Sequence, residues 1–372
     1  MKRARPPIAV LAAATLVWAT PASAGPTLLF DGNDGTVMYA EDIDQLWHPA
    51  SLTKIMTAYL TFEALKSGKL TFETKITTSE NAHAQTPSKV GLPVGGQMTV
   101  DLAIKALIIK SANDVAVMLA EAISGTETDF IVKMNATAKR LGMSRTNYVN
   151  PHGLPEPEQI TTARDLAKLS RAVLKDFPEY VPLWAMADMR IGRRRLGTHN
   201  GLLKTYEGAD GIKTGFTCDS GYNVVASASR DGRRLMAVVL GESSGRDRTI
   251  RAQSLLEHGF QTREWRGFFQ KTASIDTLPD TGGAASVTSV RQSVLNWDCG
   301  GAGRRRPVRT VAQREKAKVA RIKAKGAKTA EGAAAAAASA APAAGATPAA
   351  PKPKARAAIV IHPKAAVEPK PQ

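Results

Sequence analysis

Strand-like runs stand at the two ends of the body of this chain and helical periodicity fills the stretch between them. Any sheet it forms must therefore be assembled from segments remote in sequence. Near the start, Leu28 to Asp31 and Thr36 to Tyr39 flank Gly32-Asn33-Asp34-Gly35, a hairpin signature. Late in the chain come Gly211 to Phe216, Asn223 to Ser227 and Leu235 to Leu240, the last two joined by an Arg230-Asp231-Gly232 turn. In between, Pro49 opens a helix with Leu52, Ile55, Met56, Tyr59 and Leu60 at helical spacing, which puts Ser51 in its first turn. A second helix, Val100 to Lys110, breaks at Ser111 to Asn113, and apolar periodicity resumes through Val117, Leu119 and Ala120. Residues 126–181 read as mostly helical apart from a loop around Asn150 to Gly153, and a closing helix covers Arg248 to His258. The pattern predicts an α/β fold: one sheet, an inserted helical lobe, and a cleft where the two meet.

The ends of the chain read differently. Lys2, Arg3 and Arg5 precede an apolar run from Ile8 to Ala19 and the small residues around Ala22 and Ala24, which predicts a cleaved export signal over residues 1–24 and a periplasmic location. That run is shorter than the roughly 20 apolar residues a bilayer span needs. Residues 301–372 hold 16 Lys+Arg against 3 acids, so +13 of the formal +17 lies there and +3 in the signal, leaving +1 for residues 25–300. A basic face belonging to the fold, as nucleic-acid binding requires, is not expected, and nucleic acid is excluded as a partner. The Lys/Arg-rich and then Ala/Pro-rich end has too few large apolar residues to offset chain entropy; it predicts a disordered tail, its basic part either a solvated linker or an element drawn electrostatically to anionic envelope surfaces. Cys218 and Cys299 either form one disulfide or remain a buried thiol and a mobile one. Six scattered histidines, with no H-E-x-x-H and no cysteine cluster, predict no metal site.

Three short motifs occur in order: Ser51-Leu52-Thr53-Lys54, Ser111-Ala112-Asn113 and Lys213-Thr214-Gly215. Each alone is weak; together each lands where its chemistry needs it. Ser51 and Lys54 share one face of a helix start, where the helix N-terminus favours developing negative charge. A serine hydroxyl needs a base, and Lys54 is the one at that spacing, provided burial and neighbouring positive charge lower its pKa. Lys213 is the candidate source of that charge. Ser111 would relay a proton and Asn113 hold a substrate amide. Lys213, Thr214 and Gly215 lie on a candidate edge strand where an extended peptide can pair, and the backbone N–H groups of Ser51 and Phe216 are candidates for an oxyanion hole.

The S-x-x-K, S-x-N and K-T-G set resembles the serine penicillin-recognising enzymes. Pro49 to Thr57, Ser111 to Asp114, Asn150 to Leu154 and Asp210 to Thr217 narrow this to a resemblance to the D-alanyl-D-alanine carboxypeptidases, the low-molecular-mass penicillin-binding proteins, over roughly residues 27–262. The resemblance implies a β-lactamase/transpeptidase-like fold, a five-stranded antiparallel sheet flanked by helices with an all-helical lobe. It implies an enzyme without metal or organic cofactor that takes the terminal D-Ala from peptidoglycan stem pentapeptides through an acyl-serine and binds β-lactam antibiotics covalently. By position, Ser51 would be the nucleophile, Lys54 the proton acceptor, Ser111 the second serine and Lys213 a substrate-binding residue. Arg248 is a candidate for the substrate carboxylate, with Arg246 its rival. The expected divisions are a signal over 1–24, the peptidase domain over 25–262, a loop-rich extension over 263–303 and the tail over 304–372. A DD-endopeptidase or a β-lactamase on the same fold, or an idle wall-binding module, are the competing readings; a β-lactamase needs a further group to activate water, and Glu156 and Glu158 lie in a Pro-rich loop that does not clearly supply one.

Overall fold

A computed structural model describes residues 25–266, 273–295 and Cys299; the signal expected over 1–24 and the tail expected over 304–372 lie outside the described residues. The chain opens with the hairpin β1 (Thr27–Asp31) and β2 (Val37–Glu41). A 3-10 turn, Ala50–Thr53, runs into α1 (Lys54–Lys66). The lobe follows: β3 (Lys75–Thr77), α2 (Glu80–Ala84), β4 (Gln97–Thr99), α3 (Val100–Lys105), a π-helical turn Ala106–Lys110, α4 (Asn113–Ser124) and α5 (Glu127–Arg140). Then come α6 (Ala163–Asp176), α7 (Val181–Trp184), the hairpin β5 (Asp188–Ile191) and β6 (Arg194–Gly197), and α8 (Leu202–Thr205). The chain returns to the sheet through β7 (Ala209–Thr217), β8 (Gly221–Arg230) and β9 (Arg233–Glu242) and closes with α9 (Gly245–Arg266).

The main sheet is antiparallel in the order β2-β1-β9-β8-β7, so the N-terminal hairpin joins the late strands through β1 and β9, and β7 is an edge. This is the assembly from remote segments that the strand pattern predicts. Both faces are buried, and the period of two sorts the side chains between them. Leu28, Phe30, Val225, Met236, Val238 and Leu240 face the lobe and α1, whereas Leu29, Val224, Ala226, Leu235, Ala237 and Val239 pack with Ala252 and Leu256 of α9. Helix α1 runs through the centre with Thr57 and Thr61 as buried as Ile55 and Leu60, a helix enclosed on all sides rather than one with a single apolar stripe.

The stretch expected as a loop-rich extension wraps back over the body. Arg164, paired with Asp44 through 2.6 and 2.8 Å bonds, donates to the carbonyls of Ile275, Leu278 and Pro279, and Ile275 and Val294 are buried. Cys218 and Cys299 are joined by a disulfide, the first of the two states the sequence allows. Helix α9 begins before and ends after the expected Arg248 to His258, and runs past the expected domain boundary at 262. Among the described residues no helix is long and apolar enough to cross a membrane.

Candidate active site

The site forms where the 3-10 turn, the break before α4 and the edge strand β7 meet. Ala50 and Ser111 both take left-handed backbone angles, φ +48° and +60°, a conformation that costs a non-glycine residue about 1–3 kcal/mol and persists where surrounding structure imposes it. One precedes Ser51 and the other aims the Ser111 side chain out of the lobe. Gly153, φ +85°, belongs to the loop that clamps the same turn: a Cβ there would stand 1.8 Å from the Ala50 carbonyl oxygen. Thr57 Oγ1 donates to the Pro151 carbonyl at 2.6 Å, and Gln159 Nε2 to Thr53 Oγ1 at 2.9 Å, fixing that loop to α1.

Lys54 is 1% exposed and its Nζ has three neighbours: Ser51 Oγ at 3.0 Å, Asn113 Oδ1 at 2.7 Å and the His152 carbonyl at 2.7 Å. Two of these are acceptors only. The Asn113 orientation is set independently, because its Nδ2 donates to the Thr86 carbonyl at 2.8 Å. A neutral amine placed here spends both N–H bonds on Asn113 and His152 and turns its lone pair to the Ser51 hydroxyl. Burial first, and then the charge of Lys213, hold the Lys54 pKa well below the ordinary lysine value, with Asp114 opposing. Lys213 Nζ donates to Ser111 Oγ at 3.0 Å and to the Thr214 carbonyl at 2.9 Å; burial and then Arg248 lower its pKa to about 7. His152 is held neutral, at about 3, by burial and the charge of Lys54, and its Nδ1 accepts from the Leu154 N–H at 3.2 Å, so Nε2 carries the ring proton.

These groups open on a cavity of about 480 Å³ whose wall includes Ser51, Ser111, Asn113, Thr214, Gly215, Phe216 and Arg248. Of the expected site residues only Lys54 and Lys213 stand behind that surface, each bonded to a serine on it. Arg248 is buried, donates to the His199 carbonyl at 3.1 Å and lines the cavity, whereas Arg246 is exposed and does not. Asn113 has a role beyond the one expected: its Oδ1 accepts from Lys54 and one Nδ2 hydrogen goes to the Thr86 carbonyl, so it orients Lys54 while its second Nδ2 hydrogen is left over at the cavity wall. Gly215 also serves the chain's own packing, since a Cβ there would lie 3.0 Å from the Ser51 nitrogen and 3.0 Å from the Pro49 carbonyl oxygen.

Sequence reasoning missed the Thr86 to Ser88 backbone, the His152 carbonyl, and the cavity-lining His199 and Tyr222. Only the Asn150-Pro151-His152-Gly153 run gave a signal for any of these. Among the described residues no group of His, Cys, Asp and Glu is placed to hold a metal ion.

A serine in the wall of a cavity between an antiparallel sheet and a helical lobe, backed by a buried lysine, defines the β-lactamase/transpeptidase-like fold of active-site-serine enzymes. Within it, the chain belongs to the D-alanyl-D-alanine carboxypeptidase family, whose model matches residues 13–244. It is 37% identical over 243 residues to a D-alanyl-D-alanine carboxypeptidase of Haemophilus influenzae, covering 64% of this chain and 62% of that one. The chain thus spans somewhat less than two thirds of the length of such curated relatives. Among solved structures it is similar to penicillin binding protein 5 of H. influenzae, with a TM-score of 0.62, 36% identity, and 65% of this chain and 72% of that one covered. It is also similar to penicillin-binding protein D2 of Listeria monocytogenes in its cefotaxime-bound form, with a TM-score of 0.59, 30% identity, and 64% and 97% covered.

Proposed function

We propose that this protein is a serine D-Ala-D-Ala carboxypeptidase that acts on peptidoglycan stem pentapeptides outside the cytoplasmic membrane and is acylated by β-lactams. The observation that carries the reading is the Lys54 amine, 3.0 Å from Ser51 Oγ with both its other bonds committed to acceptors. Lys54 takes the Ser51 proton as Oγ attacks the carbonyl of the penultimate D-Ala. The Ser51 and Phe216 backbone N–H groups receive the oxyanion. Ser111, backed by Lys213, hands a proton to the leaving D-Ala nitrogen as the peptide C–N bond breaks. Water then cleaves the acyl-serine ester, returning the proton to Ser51. The terminal carboxylate is received by Thr214 and Arg248 in the cavity wall, with the Lys213 charge behind Thr214.

No Asp or Glu lines this cavity among the described residues; Glu156 and Glu158 line a neighbouring recess of about 610 Å³. A carboxylate to activate water for rapid deacylation is thus missing from the wall beside Ser51, which favours a carboxypeptidase over a β-lactamase. The test is to incubate the protein with a pentapeptide ending in D-Ala-D-Ala and, separately, with a penicillin, following released D-Ala and protein mass. Release of D-Ala, and an adduct that disappears in Ser51→Ala, are expected. Rapid turnover of penicillin without a persistent adduct would instead favour the β-lactamase reading, and neither activity would overturn the proposal.

A further inference from the structure

The segment from Thr86 to Gly91 roofs the cavity, with Pro87 and Ser88 in its wall, yet it contributes no fully buried side chain to the core. Besides the partly buried Val90 against the core, what holds it is a row of hydrogen bonds to the start of α4 and the turn before it. The Asn113 N–H and Nδ2 donate to the carbonyls of Ser88 and Thr86, at 2.7 and 2.8 Å, and Ser88 Oγ donates to the Lys110 carbonyl at 2.8 Å. Two further bonds end on one carboxylate: Asp114 Oδ1 accepts the Val90 N–H at 3.1 Å and Oδ2 the Gly91 N–H at 2.8 Å. Asp114 is 1% exposed, and Oδ1 also takes the Val115 N–H of its own helix at 2.9 Å. Bonds to an ionised acceptor are the strong ones, and both oxygens are used.

We infer that Asp114 is a positioning residue for the Ser51 reaction: its carboxylate locks the Thr86–Gly91 roof, the roof fixes the Asn113 amide, and Asn113 fixes the Lys54 amine. The inference rests on the reading of Ser51 and Lys54 given above. A second effect runs through space. Lys54 is faced by Ser51 from the preceding turn, by Asn113 and Asp114 from α4, by the His152 carbonyl from the loop and by Lys213 from β7, and Asp114 supplies the negative charge among them that offsets burial and Lys213. Losing that charge therefore displaces the Lys54 titration further downward, as well as loosening the roof.

The experiment is the pH dependence of penicillin acylation in full-length wild type, Asp114→Asn and Asp114→Glu, with hydrogen exchange read at the Val90 and Gly91 amides. Asp114→Asn is expected to acylate about tenfold more slowly at its optimum, with the acidic limb of the profile moved to lower pH and with faster exchange at both amides. Asp114→Glu, which keeps the charge, should retain the wild-type limb. A slower Asp114→Asn with an unmoved limb and unchanged exchange would reduce Asp114 to a fold residue and overturn the inference, as would wild-type kinetics. Absence of acylation in the wild type would count against the proposed function itself, so the two failures are separable.

Discussion

Gly215 lies so close to Ser51 that a Cβ on the glycine would meet the serine backbone nitrogen at 3.0 Å. The edge strand β7 and the turn bearing the proposed nucleophile thus touch backbone to backbone, and the third motif of the sequence is joined to the first by a contact that admits no side chain.

Gly215→Ala keeps an allowed backbone angle, so its effect is steric: the methyl presses on the Ser51 and Leu52 nitrogens, where nothing flexible can yield. Acylation by penicillin should fall at least about tenfold with the fold intact, because a small displacement of reacting groups is costly. Stopped-flow acylation beside a thermal melt checks this. Wild-type acylation would mean that β7 and the turn separate without consequence.

The buried lysines should cost stability while serving chemistry. Lys213 titrates near 7 in the fold and near the ordinary 10.5 when unfolded, so between those values the unfolded chain binds the extra proton and stability rises with pH; below about 7 the full penalty of a buried charge applies. Lys213→Met should accordingly be more stable than wild type by about 1–3 kcal/mol at pH 6, with the advantage shrinking as pH climbs toward 10. Urea melts at the two pH values measure it. An advantage that grows with pH would contradict this linkage.

Chain-end selection should fall to Arg248, which is buried in the cavity wall and, although burial lowers its pKa to about 10, stays cationic at neutral pH. Arg248→Ala should lower kcat/KM for peptides ending in D-Ala-D-Ala by roughly ten- to a hundred-fold. A C-terminally amidated peptide, poor for both proteins, should barely notice the change. An equal loss on both substrates would assign Arg248 to support of the fold through its bond to the His199 carbonyl.

Much of this juxtaposition was legible in the sequence because Ser51, Lys54, Ser111, Asn113 and Lys213 meet through side chains whose types and order point to one chemistry. The groups that orient them were not. The His152 and Thr86 carbonyls act as backbone, for which residue type carries no signal, and they reach Lys54 and Asn113 across 98 and 27 residues of chain. The same limit held for the fold. The long strands β7 to β9 showed in their apolar runs, whereas the three-residue β3 and β4 and the arginine-rich β5–β6 hairpin are too short or too polar to show a period. The disulfide joins cysteines 81 residues apart, a separation that spacing alone leaves undecided.

The central claim is that neutral Lys54 takes the proton from Ser51, and the rate of Ser51 acylation against pH in wild type and Lys54→Arg tests it most directly. Because burial and Lys213 depress the Lys54 pKa, the wild-type rate should climb as pH rises through that lowered value and then level off well below pH 10. Lys54→Arg keeps a cation at the position but cannot surrender its proton, so acylation should drop by roughly three orders of magnitude at every pH. An arginine variant that acylates at near the wild-type rate, with the same rising limb, would show that another group is the base.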